Sequence, residues 1–377
     1  MLAGVSTESR TRPFLLRPQG APYLLVPFLV VAVVLELAGA SPTAVFITSA
    51  LGVIPTAALM GRATEELASR AGPGIGGLLN VTFGNAPELI IALFALNKGL
   101  HEVVKASLVG SVIGNILLVL GASMFVGGLG RDRQKFNATA ASAQSSMLLL
   151  AIVAAVMPAV MALVSGAGLP APGASRVGFS HDLETLSLVT AIVLIGVYVG
   201  GLIFSLRTHR DLFNPTTEDD IEGDPWTVRR SVTMLAVAGV AVAVMSEILV
   251  GSISEFAHSA GISEFFIGAI VVAIVGNAAE HWVAVLVARK DKMDLAVNIA
   301  IGSSAQIALF VLPVLVIASY VLGPGPLAIV FNGFELAALV LAALIANQVT
   351  QDGESTWFEG VQLLAVYVII GVAFFVA

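Results

Sequence analysis

The chain has no cysteine, which excludes disulfides and thiolate metal sites. Charge is scarce as well. Only 11% of its 377 residues are Asp, Glu, Lys or Arg, against about 25% in a soluble domain. Aromatic residues make up 7% and gather in no basic cluster, so nothing favours nucleic acid as a partner. The histidines, His101, His181, His209, His258 and His281, show no metal-ligand spacing. No Ser-His, paired-Asp or zinc-type constellation of an intramembrane hydrolase emerges, and the chain reads as a non-enzyme.

What the chain does have is apolar sequence. It is 57% hydrophobic, with a mean hydropathy of +0.96. Apolar runs of 18 or more residues recur, each able to cross a bilayer core of roughly 30 Å. Eleven spans are expected, at 22–40, 43–69, 73–97, 102–128, 138–165, 182–206, 228–258, 262–288, 293–321, 325–348 and 357–376. The fold class is therefore an all-α integral membrane protein, with the lipid bilayer as its first partner.

Basic residues orient it. With the N-terminus in the cytoplasm, 15 Lys and Arg fall inside and 3 outside, the latter being Lys98, Lys105 and Arg176. This fits a multi-pass protein of the plasma (inner) membrane. Ala38-Gly39-Ala40 resembles a signal-peptide cleavage site, but the long apolar run and Glu36 favour a retained first helix.

Two short polar motifs interrupt the apolar runs. Gly84-Asn85-Ala86-Pro87-Glu88 reappears as Gly276-Asn277-Ala278-Ala279-Glu280, an offset of 192 residues. Gly110-Ser111 and Gly302-Ser303 follow at the same offset. The chain then divides into a tail (1–21), a first peripheral helix (22–40), a five-helix repeat (41–206), an acidic cytoplasmic loop (207–227) and a second five-helix repeat (228–377). An odd number of spans per repeat inverts the second repeat relative to the first. Inverted repeats with a site at their interface are a recurring transporter design.

Each motif places one carboxylate at membrane depth, where an ionisable group is costly and points to function. Glycine or proline in a membrane helix commonly only packs or kinks; it is the duplication that raises the motif above that reading. Pro87 lacks an N–H and breaks the helical ladder, and Gly84 and Gly276 weaken it further. In the second copy Ala279 replaces proline, so the expected break rests on Gly276. Backbone carbonyls, the Asn85 and Asn277 amides, and the Glu88 and Glu280 carboxylates are hard oxygen ligands. They suit Ca²⁺, Mg²⁺, Mn²⁺ or alkali ions.

These residues resemble the two alpha-repeat motifs of the calcium/cation antiporter superfamily. The stretches Gly110-Ser111-Val112-Ile113-Gly114-Asn115 and Gly302-Ser303-Ser304-Ala305-Gln306 are similar to its cation/proton exchanger branch. The resemblance covers residues 43–376 and implies Ca²⁺/H⁺ exchange in a fold of one peripheral helix plus two inverted five-helix repeats. It implies Glu88 and Glu280 as central ligands, with Asn85, Asn277, Ser111, Ser303 and Gln306 lining the site. It implies Ca²⁺ and H⁺ as transported ions and no tightly bound cofactor. The sodium-driven branch carries more acidic and hydroxyl positions than this chain, which favours protons as the counter-ion.

Charge counting leads the same way. Two glutamates in a low dielectric resist being both ionised and empty. One Ca²⁺ or two protons neutralises the pair, so either loaded state crosses more readily than the empty dianion.

Glu66, Glu255 and His281 are candidates for the proton path, Glu66 and Glu255 falling at near-matching places in the two halves. Glu36, Glu247 and Glu335 stand isolated in the sequence. Glu218, Asp219, Asp220, Glu222 and Asp224 form an acidic run that reads as a solvated linker; the family resemblance implies a regulatory alternative, a cytosolic Ca²⁺ sensor. Exchange of Na⁺ or K⁺ against H⁺, and a cation channel, stay open at this point, as does homo-oligomerisation.

Overall fold

Helices apolar on every side belong in a membrane or a protein core, and this chain is built almost wholly from them. The computed structural model describes residues 18–174, 176–205 and 226–377. Among the described residues eleven helices follow one another: α1 (Pro18–Leu37), α2 (Pro42–Gly84), α3 (Ala86–Asn97), α4 (His101–Gly128), α5 (Ala138–Val164), α6 (His181–Ile203), α7 (Val228–Ala260), α8 (Glu264–Arg289), α9 (Met293–Ala318), α10 (Gly333–Val349) and α11 (Trp357–Val376). Nine meet the length and apolarity of a membrane span, with α2 qualifying over Pro42–Ala71, while α3 and α10 are shorter apolar helices. Two strands of two residues, β1 (Gln134–Lys135) and β2 (Glu354–Ser355), pair antiparallel and tie the loop before α5 to the loop before α11.

The spans expected at 43–69 and 73–97 are joined differently. Helical backbone continues from Pro42 to Gly84, yet it doubles back on itself. Met60 and Phe83 pack in one apolar cluster with Ala86, Ala238 and Val242. A straight helix would hold Met60 and Phe83 about 35 Å apart. Near the bend, a Cβ on Gly76 would run into the backbone of Ala68; only glycine permits that approach.

The first arm of α2 pairs antiparallel with α7. Phe46 stacks on Phe256 at 4.1 Å between ring centroids, Gly52 receives Met245, and Met60 meets Ala238 and Val242. Rising numbers on one helix meet falling numbers on the other. These helices open their respective repeats, so the opposed direction is that of two inverted repeats.

A further span differs from expectation: in place of a helix from 325, the helix begins at Gly333, with Asn332 and Glu335 forming a capping box. Pro324 and Pro326 disfavour helix before it. Leu327, Ala328, Ile329, Val330 and Phe331 run as non-helical, fully buried chain. Non-helical backbone at membrane depth needs protein partners. It has them: Leu327 N–H donates to Ser319 Oγ at 2.7 Å, Ile329 N–H to Ser187 Oγ at 2.9 Å, and Lys105 Nζ donates to the Val330 carbonyl at 3.2 Å.

Beside this segment lies a buried ionic cluster. Arg176 pairs with Glu335 at 2.7 Å and with Glu102 at 3.3 Å, and Lys105 stands over the Phe179 ring. Two positive and two negative groups balance. Glu335, isolated in the sequence, is thus a structural partner of Arg176. Glu36 and Glu247 are exposed. The most enclosed helices are α4 and α9; between His101 and Ile113 every residue but Glu102 is buried. These two carry Ser111 and Ser303.

Candidate functional site

The site forms where the two motifs meet. In the first copy the helix breaks as the sequence implies. Asn85 leaves helical geometry (φ −98°, ψ 21°) between α2 and α3, and Pro87 occupies the first turn of α3. Glu88 lies in that turn, at the positive end of the helix dipole, where a carboxylate is favoured. In the second copy the break expected at Gly276 is absent. Regular helix continues from Ala273 to Arg289, because Ala279 keeps the N–H that Pro87 lacks. The distortion of α8 comes earlier, as a π turn over Ile267–Val272.

Two further π turns follow the Gly-Ser pairs, Gly114–Val119 in α4 and Ile307–Val311 in α9. They stand at nearly the motif offset. Such turns concentrate at functional sites. No residue pattern in either segment announces them.

Each glutamate lies against the glycine of the opposite motif. A Cβ on Gly276 would stand 3.5 Å from Glu88 Cγ and Oε1, and one on Gly84 would stand 3.6 Å from Glu280 Oε1. Each of these glycines is four residues before the glutamate of its own motif, across the break at Asn85 in the first copy and along one unbroken helical turn in the second. Four residues of two repeats therefore interlock reciprocally.

The expected lining residues join the same network. Asn85 Nδ2 donates to Gln306 Oε1 at 2.5 Å. Asn277 Nδ2 donates to Ser111 Oγ at 3.0 Å and to the Ala273 carbonyl at 2.9 Å. Ser303 Oγ donates to Glu280 Oε2 at 2.6 Å. All seven residues singled out in the sequence are thus gathered around one locus. Three buried oxygens there, Asn85 Oδ1, Glu88 Oε2 and Asn277 Oδ1, have no protein hydrogen-bond partner. Unpartnered buried oxygens are disfavoured unless a donor or a cation serves them.

A small cavity beside Glu88 is lined by Ser107, Ser111 and Gly276, with Ile91, Leu108, Val272, Ala273 and Ile307 completing its wall. Ser107 was not singled out; it lies four residues before Ser111 on α4, a spacing that places both on one helix face. Exposure is unequal. Glu88 is 9% exposed, whereas Glu280 is half-buried.

Of the proton-path candidates, His281 follows Glu280 directly on α8. His281 Nε2 is 3.1 Å from Asn115 Oδ1. Glu66 is buried and accepts the Trp226 N–H at 2.8 Å, and Glu255 is exposed on α7. The guanidinium groups of Arg62 and Arg230 both stand over the Trp226 ring. Glu218, Asp219, Asp220, Glu222 and Asp224 lie outside the described residues. Among the described residues no group of three His, Asp or Glu side chains could hold a metal ion, so a cation here would depend on two carboxylates and neutral oxygens.

Comparison with known proteins accounts for the duplication. Residues 41–207 and 230–376 each match the family model described as sodium/calcium exchanger protein. The chain is 48% identical over 340 residues to a Ca²⁺/H⁺ antiporter of Bacillus subtilis, covering 89% of this chain and 93% of that one. It is 45% identical over 354 residues to a Ca²⁺/H⁺ antiporter of Synechocystis sp., covering 89% and 92%. The solved structure of native YfkE superposes with a TM-score of 0.79 at 42% identity, over 94% of this chain and 100% of that chain. The H⁺/Ca²⁺ exchanger CAX shares the fold at a TM-score of 0.72 and 15% identity, over 96% and 93%. The chain belongs to the sodium/calcium exchanger protein family, within its cation/proton exchanger branch.

Proposed function

We propose that this protein exports Ca²⁺ from the cytoplasm in exchange for H⁺, by alternating access, with the ion held between Glu88 and Glu280. The observation that carries this reading is the reciprocal seating of each glutamate against the glycine of the other motif. It brings two carboxylates and the two unpartnered amide oxygens of Asn85 and Asn277 to the interface of the repeats. A divalent cation is served by two negative charges and hard neutral oxygens. Ser111, Ser303 and Gln306 hold the amides and Glu280 in place through the bonds described above.

Two protons neutralise the same pair, which gives exchange its logic: the site crosses loaded with Ca²⁺ or protonated. Similarity to Ca²⁺/H⁺ antiporters supports protons as the counter-ion. Glu66, Glu255 and His281 are candidates for the proton path. The protein acts as a multi-pass protein of the plasma (inner) membrane with its N-terminus in the cytoplasm, an orientation supported by the 15-to-3 bias in basic residues. The domain division at 41–206 and 228–377 is the working map of the repeats, and no tightly bound cofactor is needed.

Ion flux in sealed vesicles tests the reading. A pH gradient, acid outside, should drive Ca²⁺ outward without Na⁺. Flux driven only by a Na⁺ gradient would overturn the proton assignment.

A further inference from the structure

On the otherwise enclosed helix α9, the less buried positions share one side. Asp294 is exposed at the start of the helix, and Leu295, Asn298, Ile299, Gly302 and Gln306 are half-buried, while Ala296, Val297, Ala300, Ile301, Ser303, Ser304 and Ala305 are buried. Spacings of three and four residues put the accessible set on one face. Asp294, Asn298 and Gln306, with Gly302 between the last two, form a single line along it, one turn apart. The line starts at the end of the bundle where Asp294 accepts the Asn137 N–H. It finishes at Gln306, which holds Asn85 of the first motif.

Midway, α5 adds Gln144, whose Nε2 donates to Asn298 Oδ1 at 2.5 Å. Gly302 completes the spot. Where its Cβ would be, Asn298 Oδ1 is 3.4 Å away and Gln144 Nε2 and Oε1 are 3.8 and 3.9 Å away. A missing side chain thus leaves room for one small polar species among amide atoms. The next residue, Ser303, donates to Glu280, and Glu280 is the more accessible of the two central glutamates.

We propose that this face of α9 is the path by which a hydrated divalent cation reaches Glu280 from the Asp294 end, with Gln144 and Asn298 as positioning residues at its narrow point. The inference rests on the cation-exchange reading above. Amide oxygens replace water around such a cation with little penalty, since both are hard neutral ligands. Gln144 and Asn298 offer two of them where Gly302 admits the ion. The amides hold each other until the cation arrives, so neither is left unsatisfied.

Because the chain has no cysteine, single cysteines can be read without background. In vesicles of known orientation, Asn298→Cys and Gly302→Cys should react with a membrane-impermeant thiol reagent added on the Asp294 side, and Ca²⁺ should slow the reaction. Asn298→Leu should raise the Ca²⁺ half-saturation on that side about fivefold, as for one lost polar contact, with the opposite side and the maximal rate little changed. Gly302→Ala, whose added Cβ makes only ordinary contacts, should give a smaller rise with the same sidedness. Asn298→Ser keeps a polar oxygen and stands in for the leucine variant if the latter fails to insert; it should give an intermediate rise. Labelling only from the opposite side, no labelling from either, or equal changes on both sides would overturn the path. Glu280→Gln is the separate control: flux that survives it overturns the proposed cation site and leaves the labelling result intact.

Discussion

The side chain of Glu88 lies against Gly276, where a Cβ would stand 3.5 Å from its Cγ and Oε1. Gly276 in turn precedes Glu280 by one helical turn, and Glu280 lies against Gly84. The arrangement joins two motifs that sit 192 residues apart. Glu88→Gln and Glu280→Gln keep the shape of the side chain and remove one charge each. Each is expected to reduce Ca²⁺ exchange to background while the protein still inserts, as measured by vesicle flux and membrane yield. Either variant with near-normal flux would remove that residue from the site.

Two glycines of this region should respond differently to alanine. At Gly276 the added methyl meets only ordinary contacts, so Gly276→Ala should fold and lose Ca²⁺ affinity several-fold by filling space beside Glu88. At Gly110 the methyl would run into the backbone of Ala269. Backbone moves little, so Gly110→Ala should destabilise by about 1–3 kcal/mol or more. Thermal unfolding in detergent separates the two cases; equal melting points would refute the distinction.

Proton competition has a definite sign. A glutamate must be deprotonated to hold a cation. Ca²⁺ half-saturation should therefore rise as pH falls on the face where Ca²⁺ is taken up, and an acid opposite face should speed exchange. Exchange of two protons for one Ca²⁺ moves no net charge, so voltage should matter little. One net charge per cycle would respond by about 2.3 kcal/mol per 100 mV. The check is to step the potential with a K⁺ ionophore at fixed pH gradient. A voltage shift worth one charge would mean three protons, with Glu66, Glu255 and His281 the first to mutate.

Arg176 and Glu335 are both fully buried and pair at 2.7 Å. Removing one partner strands the other charge. Arg176→Met is expected to destabilise by about 3–5 kcal/mol, seen as a lower melting point and poor membrane yield. The double variant Arg176→Met/Glu335→Leu should lose less than Arg176→Met alone. A single variant that melts like the parent would show that the pair carries no weight.

Neutralising Glu218, Asp219, Asp220, Glu222 and Asp224 should leave the transported ion unchanged and alter only apparent affinity or activation. Their run lies in the loop between the repeats, far in sequence from either motif. Loss of all transport in a correctly inserted variant would count against this.

The membrane class, the places of the helices, the duplication and the paired glutamates are legible in the sequence. Hydropathy acts over about 20 consecutive residues, and a repeated motif needs only counting. The break at Pro87 was legible too, since proline acts through its own ring. The unbroken helix at Gly276 was not. A glycine permits distortion without requiring it, and with Ala279 in place of proline the hydrogen-bond ladder stays intact. The late start of α10 has a local signal in Pro324 and Pro326, masked by the apolar run Leu327–Phe331 that follows, since hydropathy does not distinguish buried helix from buried extended chain. Nothing local announces that Arg176 would pair with Glu335, that Asn277 would bond Ser111, or that Gly302 would face Gln144. Those contacts join residues 150 or more positions apart. They exist only because the inverted repeats, packed against each other, bring buried polar groups together that must satisfy one another in the absence of water.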